Sequence, residues 1–500
     1  MITLDHESRV PLYQQLYERF RDLIATSVYT EGDKLPPIRR LAEDLGISRN
    51  TVETAYLQLA QEGYVCGRSG SGFIVENLGP IATCASARHE KASKDLLKRL
   101  QQSMLWSEER DEGERQGEST GQAYPEVPDA LTEHDEPLFD FTYGNLRKGS
   151  FPAQLWRKLT NEVLFTDDAG AASSYTTSLG ERGLRKQIAN YLHAGSGVDC
   201  HPAQVVIQAG TQASIYNLLT LFDPARDVVG MEEPGYDGVR SAFENARFHL
   251  FPLPICEGSD AFIESLYNSR ARLVYVTPSN QFPTGQIYSM STRMHLLRWA
   301  SGEDAYIIED DYCREFRYKT RPLPSLQSLD RDGRVIYMGT FSKALTPALR
   351  INYLVLPPEL LFSWQRLFRN HYPQVPWLSQ AVLQRYMEGG HWDRHLRRAQ
   401  AENKQKYRLL IEAVRRHMGE RVTLVENGSG LHLLLDVPGT RGQEELIALA
   451  QAAGVKVYGT DRYWMSPDHP MKNCLLVGFS SIPAEKIEPG IARLTQAWFG

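Results

Sequence analysis

The chain has 500 residues, 42 % of them hydrophobic, and a formal net charge of −6. That length exceeds a single ordinary core and predicts two or more globular domains, while the charge offers no global attraction to nucleic acid or membrane, so any DNA contact has to come from a local patch. The six cysteines form no CxxC pair, and no basic start with an apolar run, nor any apolar run near the ~20 residues of a membrane span, is present; this excludes a zinc or disulfide framework, predicts no metal, and makes the cytoplasm the expected location.

Residues 1–77 read as helices ending in a hairpin. A first helix over Pro11–Ser27 puts Leu12, Leu16, Phe20, Leu23 and Ile24 on one stripe. Pro37 opens a second, ending at Leu45. Gly46 permits a tight turn, and Ser48 is placed to cap a third helix that Gly63 ends. Two helices joined by a Gly-bearing turn form a helix-turn-helix. The third helix presents Arg49, Asn50, Thr51 and Glu53 near its N-terminus, where base edges are usually read. Tyr64–Cys66 and Phe73–Val75 flank GRSGSG as a hairpin tipped by Arg68. Eight Lys/Arg against eleven Asp/Glu give this segment a net charge of −3, so a basic footprint is confined to Arg39, Arg40, Arg49 and Arg68.

Residues 78–137 change character. Lys91–Trp106 fits a basic helix with Leu96, Leu97, Leu100 and Met104 on one stripe, and Ser107–Glu136 holds eleven acidic residues against two arginines. Such a composition buries no core and reads as a partly disordered, acidic linker.

From residue 138 to 500, short β-rich runs (VVIQAG, DVVGMEEP, RLVYVTPS, AYIIEDDY, RVIYMGTFSK) alternate with helical segments. This predicts an α/β domain with a mostly parallel sheet and polar residues at the strands' carboxyl ends, where ligands gather. The polar residues there match what pyridoxal 5′-phosphate (PLP) requires of a protein. Lys343 in GTFSKALTPALR supplies an amine; Thr340 and Ser342 supply hydroxyls and Arg350 a cation for the phosphate. Asp310, ending the strand YIIED, is a carboxylate partner for the pyridine nitrogen, beside an Asp311 that also suits a helix N-cap. Tyr312 and Asn280 are donors for the phenolic oxygen, and Tyr236 is a ring to stack on the cofactor. Gly210, Thr211 and Gln212 join a strand to a helix, a phosphate seat of amide groups.

Pro11–Val75 resembles the GntR winged-helix family, which implies that Arg39, Ser48, Arg49, Thr51 and Gly70 face DNA. The chain departs from that family at Pro37-Ile38, where small or polar residues are usual. The motifs PGY, TPSNQFPTG, EDDYCREFRY and FSKALTPALR resemble fold-type I aminotransferases over about residues 139–498, with a smaller C-terminal α+β subdomain. The two together resemble MocR-type regulators. The resemblance implies PLP held on Lys343, a double-stranded DNA operator, an amino-compound effector or PLP itself as signal, and a head-to-tail homodimer in which Tyr175 reaches the neighbouring subunit's phosphate. Asn280 departs from the histidine common in these regulators. The arginine that anchors substrate carboxylates in aminotransferases is replaced by Leu476 or Val477 in CLLVGFSS, with Arg462 as a candidate effector contact instead. A sensing domain and a working aminotransferase with an added DNA-binding domain both remain open.

Overall fold

A computed structural model describes residues 11–25, 28–29, 32–61, 65–68, 72–75, 138–166, 172–318, 324–426, 428–439 and 441–500. The chain divides into two compact units, Met1–Ala130 and Leu131–Gly500. The basic helix and acidic segment expected over 91–136 lie outside the described residues, as do Gly63 and Gly70.

In the first unit, α1 (Leu12–Ala25), α2 (Ile38–Leu45) and α3 (Arg49–Gln61) precede a hairpin of β1 (Val65–Arg68) and β2 (Gly72–Val75). Leu16, Phe20 and Ile24 on α1 bury against Leu41, Val52, Tyr56 and Leu59, with Val65 and Val75 closing the core. The helix period selects these positions, and their burial offsets the ordering of a small domain. Gly46 ends α2 at φ +64°, its N–H reaching back to the carbonyls of Ala42 and Glu43. A left-handed residue here redirects the chain into α3, and glycine adopts it without a Cβ clash.

The second unit is built on a seven-stranded sheet. Its strands are β4 (Val205–Gln208), β5 (Val228–Glu233), β6 (His249–Pro254), β7 (Ala271–Val276), β8 (Tyr306–Asp310), β9 (Val335–Thr340) and β10 (Asn352–Val355), in the order β4-β10-β9-β8-β7-β5-β6. Only β10 runs against the others. The central strands β7, β8 and β9 are buried on both faces, the pattern of a sheet covered by helices on each side. Five of the seven strands follow from their apolar runs; β6 and β10 do not. The edge strand HLFPLP carries two prolines and an exposed face, which only an edge position tolerates, and β10 is four residues long.

A second, four-stranded sheet places β12 (His432–Asp436) between β11 (Thr423–Val425) and β15 (Cys474–Gly478), with β14 (Tyr458–Gly459) at the far edge. β3 (Phe139–Asp140) pairs with β13 (Val455–Lys456), and the Gly478 amide bonds the Phe141 carbonyl. The loop after β3 is thereby held between the two sheets. No helix among the described residues is long and apolar enough to cross a membrane.

Candidate functional site

The sheet delivers its polar residues to one end. Strand β4 leads through Gly210 to Thr211, β5 to Tyr236, β7 to Thr277, β8 to Asp310, and β9 through Thr340 to Lys343. They enclose a cavity of about 220 Å³ lined by Thr211, Gln212, Tyr236, Asp310, Tyr312, Thr340, Ser342, Lys343 and Arg350, among others. Nine of the sequence-derived candidates thus meet, because parallel strands share one carboxyl end.

Lys343 is buried, and burial depresses its amine below the ordinary lysine value, against the pull of Cys313 and Asp310. Its Nζ lies 4.4 Å above the Tyr143 ring. Gly144 sits at φ +95°, a conformation that favours glycine, and an added Cβ there would stand 2.9 Å from that nitrogen. Asp310 accepts a 2.6 Å hydrogen bond from the Tyr275 hydroxyl at Oδ2. Burial raises its carboxyl to about 7, with the Tyr275 bond and Lys343 pulling down and Asp311 pushing up.

Other candidates take different places. The Tyr312 hydroxyl receives the Asn280 amide at 2.7 Å and donates to the Asn280 carbonyl at 2.8 Å. Asn280 also accepts from Ser429 at 2.9 Å and is not among the residues lining the cavity, its amide being bonded to the Tyr312 hydroxyl. Gly210 stands behind Thr211 at φ +97°, where an added Cβ would lie 2.3 Å from the Arg350 guanidinium. Thr340 Oγ1 accepts the Ser342 amide at 3.1 Å. Asp311 caps no helix, since turns follow it, and accepts from the Tyr337 hydroxyl at 2.9 Å. Tyr175 lies away from the cavity, 81 % exposed and stacked on Tyr372 at 4.1 Å. Arg462 is likewise outside: it is paired with Asp237 through Nε at 2.7 Å and through its Nη2.

Sequence reasoning missed Tyr143, Gly144, Tyr275, Thr277 and Phe282, all of which line the cavity. The signal for Tyr275 was a hydroxyl inside an otherwise apolar central strand. Glu232 is the hidden organiser of the neighbouring loop: it accepts from the Thr277 amide (2.8 Å) and hydroxyl (2.6 Å), the Tyr288 hydroxyl (2.6 Å) and the Gln281 amide (3.1 Å). Four donors on one buried carboxylate fix the loop that carries Asn280 and Phe282.

On the first unit, Ser48 Oγ accepts the Thr51 amide at 3.1 Å and meets the Thr51 hydroxyl at 2.8 Å. Arg39, Arg40, Ser48, Arg49 and Asn50 are exposed and Thr51 is half-buried, which leaves the start of α3 open to a ligand. Arg68 ends β1.

A helix-turn-helix with a hairpin wing, in one chain with a parallel sheet that gathers a lysine, a carboxylate and hydroxyls at its carboxyl end, defines a DNA-binding regulator with an aminotransferase-like domain. Residues 12–75 match the family of bacterial regulatory proteins, gntR family, and residues 136–494 match aminotransferase class I and II. An uncharacterized HTH-type transcriptional regulator of Bacillus subtilis, YdeL, is 36 % identical over 98 % of this chain and 97 % of its own. The probable rhizopine catabolism regulatory protein MocR of Rhizobium meliloti is 35 % identical over 100 % of this chain and 96 % of its own. The crystal structure of Pyrococcus horikoshii kynurenine aminotransferase, in complex with PMP, is similar at a TM-score of 0.65 and 25 % identity, covering 73 % of this chain and 91 % of that one. The chain belongs to the MocR-type family of gntR regulators, in which the DNA-binding domain is fused to a class I and II aminotransferase domain.

Proposed function

We propose that this regulator holds PLP on Lys343 and that an amino compound arriving at the same site changes its grip on operator DNA. The observation that carries the reading is the pairing, within one cavity, of a buried amine with a buried carboxylate whose hydrogen-bond donor, among the described residues, is Tyr275. Neither charge is otherwise balanced well enough to justify its burial.

The residues present fit PLP. Lys343 would bind its aldehyde, Asp310 would hold the proton on its ring nitrogen, and Tyr236 would cover its ring. The α-helix N-terminus at Thr211 and Gln212, with Ser342, Thr340 and Arg350, would take the phosphate, an arrangement suited to a dianion. When bound, PLP supplies an electrophilic carbon for primary amines and an electron-withdrawing ring. Tyr275 keeps Asp310 oriented, and Asn280 keeps the Tyr312 hydroxyl in place. A Lys343 amine with a depressed pKa is deprotonated more readily, as a nucleophile must be.

On the DNA side, Arg49, Asn50 and Thr51 would reach base edges from α3, and Arg39, Arg40, Ser48, Arg68 and Gly70 would hold phosphates. Tyr175, exposed and stacked on Tyr372, would be accessible to a neighbouring subunit, where in a head-to-tail homodimer it would complete the phosphate site. The absence of an arginine at Leu476 or Val477, both fully buried, favours sensing over steady amino transfer.

The test is the absorbance spectrum of the purified protein loaded with PLP, before and after a panel of primary amines. A yellow band that one amine shifts, and that Lys343→Ala abolishes with the fold intact, is the expected result. A band that no amine shifts would assign PLP itself as the signal. Turnover with an amino donor and an oxo acid would make the domain an enzyme. A band that survives in Lys343→Ala, or never forms, sinks the assignment.

A further inference from the structure

Beside the lysine cavity lies a larger cleft of about 820 Å³. The two adjoin along two chain segments: Tyr143 and Gly144 line the cavity while Asn145 to Phe151 line the cleft, and Ser342 and Lys343 line the cavity while Leu345 to Pro347 line the cleft. Pro347 belongs to both. The shared lining leaves a way for a ligand whose amine reaches Lys343 to extend its other end past Pro347 into the cleft.

The distribution of charge decides what that end is. Among the described residues lining the cavity, the cations are Lys343 and Arg350. Lys343 is the amine-binding group, and Arg350 stands against the Gly210 turn at the phosphate seat. Within one chain, no third cation among the described lining residues is there for an acid group on the amine-bearing carbon. In the cleft, by contrast, Arg147 Nε and Lys406 Nζ converge on one oxygen of Glu402, at 2.8 and 3.2 Å. Both cations hold that carboxyl below its ordinary value, although its partial burial opposes them. Lys406 is buried and also bonds the Ser480 carbonyl at 2.9 Å. Arg147 is 38 % exposed, and its Nη1 and Nη2 make no hydrogen bond among the described residues. The triad carries one positive charge in excess. Glu402, itself paired with Lys406, thus fixes the Arg147 guanidinium at Nε and leaves its Nη groups for a planar anion.

We infer that Arg147 binds a single anionic group on the effector, separated from its amine, so that the effector class is a primary amine with a remote acid. This rests on the PLP reading of Lys343. The role of anion anchor, which the C-terminal strand lacks at Leu476, falls to the loop after β3.

The experiment uses the full-length, PLP-loaded protein and two matched probe series, unbranched aminocarboxylic acids and alkylamines of about two to six carbons. Kd values are read from the spectral shift and independently by calorimetry. For at least one length the acid binds more tightly than its alkylamine by roughly tenfold to a hundredfold, the range of a charge-assisted hydrogen bond. Arg147→Ala collapses that ratio toward one, and Arg147→Lys retains part of it. A wild-type protein for which no acid outbinds its alkylamine, or a ratio that survives in Arg147→Ala, overturns the inference and leaves the PLP reading standing. A wild-type protein that takes up no PLP overturns both.

Discussion

Asp310 shows how a single side chain is set for a partner. It is buried at the end of β8, and burial lifts its carboxyl from the ordinary 3.8 to about 7 while the Tyr275 hydroxyl and Lys343 oppose that rise. A carboxyl whose pKa is raised in the folded state binds its proton more tightly there than in the unfolded chain. Its stabilising contribution is complete below the ordinary value and is lost as pH climbs toward the raised one. In the PLP-free protein, Asp310→Asn, which never ionises, should therefore be stabilising by roughly 2–4 kcal/mol at about pH 8 and near neutral at about pH 4. Denaturant unfolding of both proteins at the two pH values checks this; equal effects at both would mean that Asp310 carries no burial penalty. The same substitution should weaken PLP binding, because the amide holds no ring-nitrogen proton. At this scale much of the site was legible. Lys343, Asp310 and Arg350 stand in short motifs whose polar residues have no reason to follow buried strands except a ligand. Tyr275 and Tyr143 were not legible, because a tyrosine in or beside an apolar run reads as core until the sheet register shows which face its hydroxyl takes.

Among the elements, α3 joins stability to recognition through one residue. Ser48 caps the helix by accepting the Thr51 amide, and in the same place it would donate to a phosphate. Ser48→Ala should cost the first unit about 1 kcal/mol of stability, seen as a lower melting temperature in the absence of DNA. Arg49 lies one residue on and is exposed, so it contributes nothing to the buried core. Arg49→Ala should leave melting unchanged and weaken operator binding by about 1–3 kcal/mol if it reads a guanine. Fluorescence anisotropy against the operator and a scrambled duplex separates the two effects; undiminished operator binding would place the reading residues elsewhere on the helix. The helix-turn-helix was legible almost to the residue, since its caps are local: Gly46 and Ser48 act within a few positions of themselves. Strands β6 and β10 were not, because what makes HLFPLP a strand is its place at a sheet edge, a non-local fact.

For the whole molecule, the central question is whether events at Lys343 reach the DNA-binding unit. A ligand shifts a two-state protein only by its differential affinity for the two states, commonly ~1–3 kcal/mol of coupling. The net charge of −6 gives the chain no global attraction to DNA. The most direct measurement is the operator Kd of the PLP-loaded protein, with and without the amine that moves its absorbance band, for wild type and Lys343→Ala side by side. The operator is selected from genomic fragments by the purified protein. A change of roughly five- to 150-fold in wild type that disappears in Lys343→Ala is the predicted result. An operator Kd that the amine leaves unmoved, or moves equally in both proteins, would contradict the account.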